Sequence, residues 1–264
     1  MNSRNQLGKN IFLNCFILST ATLLLISCSE KKEQFESEPV ADYAQSLQPG
    51  KYITYRVDSL VFPNFGRSIE IHKYQQKHVI DAQFTDNLGR PSFRVFRYIS
   101  DSTGTQPWKS NGSYFITLLD DQMEIIEDNL RFIKLHVPFN IGFSWKGNAH
   151  LPQDPYYTLF GPFGNDDDMD DWQFTYDSFE PSFNFQNQDY TDVWTVDAVD
   201  ELDNVPIVDP TSYAFRNRSL ERYSKGIGLV YRELVMWDYQ PNPTGTGGPY
   251  YSGFGITQWM VDHN

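Results

Sequence analysis

The chain has 264 residues, with 21 Lys and Arg against 34 Asp and Glu, a formal net charge of −13, and two cysteines. Such an acidic chain lacks the basic surface that displaces counterions from a phosphate backbone, which excludes nucleic acid as a partner. Apolar residues make up 40% and aromatic residues 16%, enough to build one core of ordinary size without disulfides.

Residues 1–27 carry Arg4 and Lys9 and no acid, then an apolar stretch from Ile11 to Ile26 broken by Asn14 and Ser19. A positive start followed by a short apolar run is the pattern of a cleaved secretory signal. A spanning helix needs about 20 predominantly apolar residues, whereas here charge follows at once in Ser29-Glu30-Lys31-Lys32-Glu33. Leu25-Ile26-Ser27-Cys28 resembles the bacterial lipobox, in which the cysteine becomes the lipidated first residue of the mature chain. Cys15 leaves with the signal, so Cys28 is the one remaining cysteine and no disulfide can form within the mature monomer. Acyl chains contribute about 0.8 kcal/mol per buried CH₂, which makes Cys28 the expected membrane anchor. Ser29 is similar to outer-membrane rather than inner-membrane sorting. The charged run 29–33 resembles the export signal of Bacteroidota surface lipoproteins, and the periplasmic and extracellular faces both stay open.

From Cys28 to Asp42 the residues are mostly charged and polar, and the composition predicts a flexible tether. A short helical turn is expected at Tyr43 to Leu47, ended by Pro49-Gly50. From there to Asn264 the dominant signal is period-2 alternation. It runs through Ile53, Tyr55 and Val57, through Phe93 to Ile99, and through Tyr114, Ile116 and Leu118. It resumes at Leu130 to Val137, at Trp172, Phe174 and Tyr176, at Val193 to Val199, and at Gly228 to Trp237. Turns are predicted at Asp86 to Gly89, Thr103-Gly104, Asn111-Gly112, Asp120-Asp121, Asn140 to Gly142 and Lys225-Gly226. Many short strands without a long amphipathic helix predict an all-β fold: a single antiparallel β domain over 43–264, either a curved half-barrel or a sandwich.

YAQSLQPGKYITYRVDSLVF (43–62), LRFIKLHVPFNIGFSWKGN (130–148), YSKGIGLVYRE (223–233) and GFGITQWMVDHN (253–264) resemble a group of uncharacterised Bacteroidota outer-membrane lipoproteins. The resemblance covers nearly all of the chain after the tether. It implies a compact β-rich domain and an envelope location, and it implies no activity.

Charge is unevenly placed. Between Gly147 and Phe215 there are 15 acids and no Lys or Arg, and loss of Arg4 and Lys9 with the signal takes the net charge from −13 to −15. Asp166, Asp168, Asp170 and Asp177 stand at positions 1, 3, 5 and 12 of a loop, the spacing at which oxygen ligands can surround calcium. Position 6 is Asp171 where a sharp turn wants glycine, and the twelfth residue is Asp rather than Glu. A solvated acidic loop is therefore the first reading and a weak calcium site the second.

Signatures of catalysis are missing: no Gly-x-Ser-x-Gly elbow, no Ser-x-x-Lys, and no zinc-type spacing among His72, His78, His136, His150 and His263. His136, on an alternating strand, reads as a half-buried structural histidine. Gly245, Gly247 and Gly248 precede neither a lysine nor a helix, and read as a hairpin loop rather than a phosphate cradle. The six tryptophans, with Tyr156-Tyr157 and Tyr250-Tyr251, exceed what one core needs and offer platforms for sugars or lipids if they are exposed. The expected function is a lipid-anchored envelope protein that acts by binding or structural presence, with no catalytic residues. A surface binder of glycan or a hydrophobic ligand, assisted by calcium, is the alternative, and a hydrolase the third.

Overall fold

The computed structural model describes residues 37–161, 164–242, 244–245 and 247–264. The signal, Cys28 and the tether as far as Glu36 lie outside the described residues. Twelve strands run in sequence: β1 (Tyr52–Val61), β2 (Glu70–Thr85), β3 (Pro91–Asp101), β4 (Lys109–Leu118), β5 (Gln122–Glu127) and β6 (Leu130–His136) form the first half. The second half is β7 (Ser144–Trp145), β8 (Phe174–Phe185), β9 (Gln188–Asp203), β10 (Ala214–Ser224), β11 (Gly228–Gln240) and β12 (Tyr250–His263).

Each half is an up-and-down meander of hairpins. The two halves join through the antiparallel pair β1 and β12, giving one sheet in the order β6-β5-β4-β3-β2-β1-β12-β11-β10-β9-β8-β7. Its two edge strands approach each other. Ile133 N of β6 donates to Gly147 O at 2.7 Å, and Trp145 Nε1 donates to Ile133 O at 2.9 Å. The sheet is thus a nearly closed all-β barrel rather than a sandwich, and closure protects edges that would otherwise pair with other chains.

Local rules account for most hairpins. In the β2–β3 turn, Asp86 Oδ1 accepts from Leu88 N and Arg90 N, both at 2.9 Å, and Gly89 takes φ = 78°. Lys225-Gly226 joins β10 to β11, and Gly228 (φ = 100°) lets β11 pass so close to Gln45 that a Cβ would sit 2.6 Å from its backbone N.

Three expectations need correction. The tether does not extend to Asp42: residues Val40–Tyr43 form a 3₁₀ turn with Val40 and Tyr43 fully buried, and Lys225 Nζ meets Glu38 at 2.9 Å and Asp42 at 3.3 Å. A polar composition hid two anchoring side chains. The helical turn expected at Tyr43 to Leu47 is this one, displaced toward the N-terminus. Asn111-Gly112 is not a turn but lies within β4, where the register against β3 slips between Phe96 and Tyr98.

Candidate functional site

The barrel interior is not uniformly apolar. Apolar clusters built on Ile80, Val95 and Tyr176, and on Phe132, Leu234 and Phe254, fill parts of it. A cavity of about 100 Å³ is lined by Arg97, Glu127, Lys134, Glu221 and Arg232, together with His78, five tyrosines, three glutamines and six aliphatic side chains. The five charged residues come from five strands, β3, β5, β6, β10 and β11.

They form an alternating chain. Arg97 is hydrogen-bonded to Glu127, whose other oxygen lies 3.8 Å from Arg232 Nη1; Arg232 Nε lies 3.4 Å from Glu221 Oε1. Lys134 Nζ donates to the same Glu221 oxygen at 2.8 Å, and Tyr223 OH donates to Oε2 at 2.7 Å. Lys134 also lies 4.8 Å above the ring of Phe132. Three cations face two carboxylates within the cavity lining. Asp128, 3.6 Å from Arg97 Nη2, has a side chain 45% exposed and stands outside that lining.

Burial sets the protonation of these groups. It works against ionisation of Glu221, but Lys134 and Arg232 outweigh it and hold the carboxyl below its usual range. Lys134 is lowered by burial despite Glu221. His78 is lowered to about 3 by burial, with Arg97 and Arg232 adding to it. Its Nδ1 is 3.1 Å from Tyr114 OH and its Nε2 3.3 Å from Gln76 Oε1, which assigns the proton to Nε2 and makes Nδ1 an acceptor. Arg97 Nε is buried and finds no acceptor.

One β-bulge places a cation, and a second leaves room for another that regular alternation with Phe93 and Val95 already turns inward. Met123 pairs with Leu135 and Glu124 with Ile133, so Lys134 is an extra residue in β6. Lys134 and Leu135 are consequently both buried, which strict alternation forbids. On β4, Asn111 and Gly112 together oppose Arg97. Gly112 takes φ = 86°, and a Cβ there would sit 3.2 Å from Arg97 Nη2. Bulges of this kind re-aim side chains beside functional sites.

The acidic segment is arranged differently from its spacing. Asp166 is buried and accepts from Tyr156 N at 2.9 Å, whereas Asp168, Asp170 and Asp177 are exposed and do not gather around it. Met169 is buried within the 3₁₀ turn Met169–Asp171 and draws the loop into the core, spreading the flanking carboxylates. Among the described residues, the carboxylates that come within 4.8 Å of one another are Asp154, Asp166 and Asp167. A hydrogen bond between Asp154 and Asp167 raises the Asp167 pKa, and burial raises that of Asp166. Further along, Asp197 meets Arg218 at 2.7 Å and Asp200 is hydrogen-bonded to Arg216, so β10 neutralises part of β9.

The tryptophans are not surface platforms. Trp145 and Trp194 are buried against Tyr176 at ring distances of 4.9 and 5.2 Å, and Trp108, Trp172, Trp237 and Trp259 are half-buried. His136 is half-buried, with Nδ1 2.6 Å from Val137 O, and His72 lies at the exposed surface beside Glu70.

Neither protein-family models nor curated proteins give a match to the chain. Among solved structures it is similar to a protein from Bacteroides fragilis described as a "putative exported protein with YmcC-like fold". That likeness has 10% identity and a TM-score of 0.38, and covers 84% of this chain and 99% of the other. It is also similar to a "putative outer membrane lipoprotein-sorting protein domain" from Vibrio parahaemolyticus. There the identity is 11% and the TM-score 0.20, with coverage of 84% of this chain and 87% of the other. Both likenesses are distant.

Proposed function

We propose that this protein is a non-catalytic envelope lipoprotein, anchored at the outer membrane through Cys28, whose barrel holds a small polar ligand in its charged interior. The observation that carries the reading is the meeting of five charged side chains from five strands around a cavity. Burying such groups is expensive, and clusters of this kind concentrate at binding sites. The cavity size argues against an acyl chain as cargo, since an engineered cavity of about 150 Å³ takes guests of the size of benzene or xenon. Half-buried tryptophans likewise argue against a glycan platform.

Two measurements test the two parts. Cys28→Ala protein is expected to fold with an unchanged melting temperature and to leave the membrane fraction; a mutant still lipidated and sedimenting with membranes would refute the anchor. For the interior, small polar compounds are expected to perturb the NMR signals of His78 and Tyr114 in the detergent-solubilised protein. A spectrum unmoved by every compound in a broad set would sink the binding reading.

A further inference from the structure

The geometry points to a small organic monoanion, a carboxylate with a short aliphatic body, as the occupant of the barrel interior. This deepens the reading above and rests on it.

Three observations converge. First, the cavity lining carries Arg97, Lys134 and Arg232 against Glu127 and Glu221, with His78 uncharged, while Asp128 reaches Arg97 at 3.6 Å from outside the lining, so the charge that faces the cavity is positive by one. Asp128 balances Arg97 only from the solvent side, with a side chain 45% exposed, and an anion of single charge would complete within the cavity the alternation that the five residues begin. Second, the donors are in place. Arginine presents five N–H groups, which Glu127 and Glu221 do not exhaust, as the unsatisfied Arg97 Nε illustrates. Third, part of the wall is aliphatic, formed by Val57, Ile116, Met123, Ile125, Leu229 and Ile256 among the tyrosines and glutamines. An inorganic oxyanion would leave that wall facing nothing, whereas a chain of two or three carbons behind the carboxylate would cover it.

Size closes the choice. About 100 Å³ admits a handful of heavy atoms and excludes a long fatty acid or a nucleotide. Access lies on the Arg97 side: the side chains of Arg97, Arg232 and Glu127 are 15, 16 and 23% exposed, against 7 and 4% for Lys134 and Glu221. The two bulges fit the same purpose, since that of β6 delivers Lys134 to the cavity and that of β4 sets Gly112 where a side chain would crowd the Arg97 guanidinium, each at the expense of regular strand pairing.

The test uses full-length, detergent-solubilised protein at constant sodium, with sodium butyrate, its neutral isostere butyramide, and sodium chloride as probes. Butyrate is expected to raise the melting temperature with a saturable dose dependence and to shift the His78 ring signals, while butyramide and chloride do neither. Arg97→Gln is expected to weaken butyrate at least tenfold; should that variant fail to fold, the comparison of butyrate with butyramide on the wild type still decides. Butyramide acting as well as butyrate would overturn the anion assignment and leave an interior polar site standing. Silence from both probes, with His78 signals fixed, would overturn the anion and count against the interior reading as well.

Discussion

His78 and Glu221 each tie stability to pH, in different windows. His78 is 8% exposed and its pKa falls from 6.5 to about 3, so between those values the unfolded chain takes up a proton that the folded chain refuses. Stability from this residue is complete above about pH 6.5 and declines as pH falls, by about 1.4 kcal/mol per unit. Wild-type protein is therefore expected to lose about 2 kcal/mol between pH 6.5 and 5, read by urea denaturation, and His78→Gln is expected to flatten that slope. Glu221 has its pKa lowered, so its contribution holds above the ordinary glutamate range and is lost only as pH drops through the folded value. Removing it is the harsher change: Glu221→Gln takes the carboxylate partner from Lys134, leaves Arg232 with Glu127 alone and weakens the bond from Tyr223, and should cost about 3–5 kcal/mol. Lys134→Met should cost less by the same assay, because Glu221 keeps Arg232 and Tyr223.

At the scale of elements, the strands most legible in the sequence are those whose inward face is apolar. β1 alternates Ile53, Tyr55 and Val57, and β4 alternates Tyr114, Ile116 and Leu118, as expected. β2 was not legible because its inward residues are Tyr74, Gln76, His78 and Ile80, and three of these line the polar cavity. β10 was hidden likewise, since Glu221 and Tyr223 point into the cavity while Arg216 and Arg218 serve the acids of β9. Trp172 precedes β8 rather than opening it. The Asn111-Gly112 pair carries a turn signature but serves as a bulge, and the distinction lies in the partner strand. Gly112→Ala, forced into φ = 86° against the Arg97 guanidinium, is expected to destabilise by at least about 1 kcal/mol in thermal or urea melts. Gly89→Ala, in a turn with open space around it, should show only the backbone part of that cost.

For the domain as a whole, the N-terminal segment is part of the fold. A chain starting at Ser37 keeps Val40 and Tyr43 in the core, whereas one starting at Gln45 exposes the surfaces they cover. Each buried side chain of this size contributes about 1.5–3 kcal/mol, so the shorter chain is expected to be less stable by several kcal/mol in denaturant titrations. Equal stability of the two truncations would show that the barrel closes without this segment. The ion pair of Lys225 with Glu38 and Asp42 adds little, being more than a third exposed on both sides.

Composition and period alone determined the all-β class, because apolar residues at every second position can bury one face only in a strand. They also set two expectations, no nucleic-acid partner from the charge and, with Cys15 removed in the signal, no disulfide from the cysteine count. Only the tertiary structure decided that the sheet curls into a barrel, since closure depends on β6 meeting the chain after β7. It alone revealed the interior site, because Arg97, Glu127, Lys134, Glu221 and Arg232 are scattered over 136 positions and meet through strand register and two bulges. A linear pattern records which face a residue occupies, but not which residue it will face across a closed sheet.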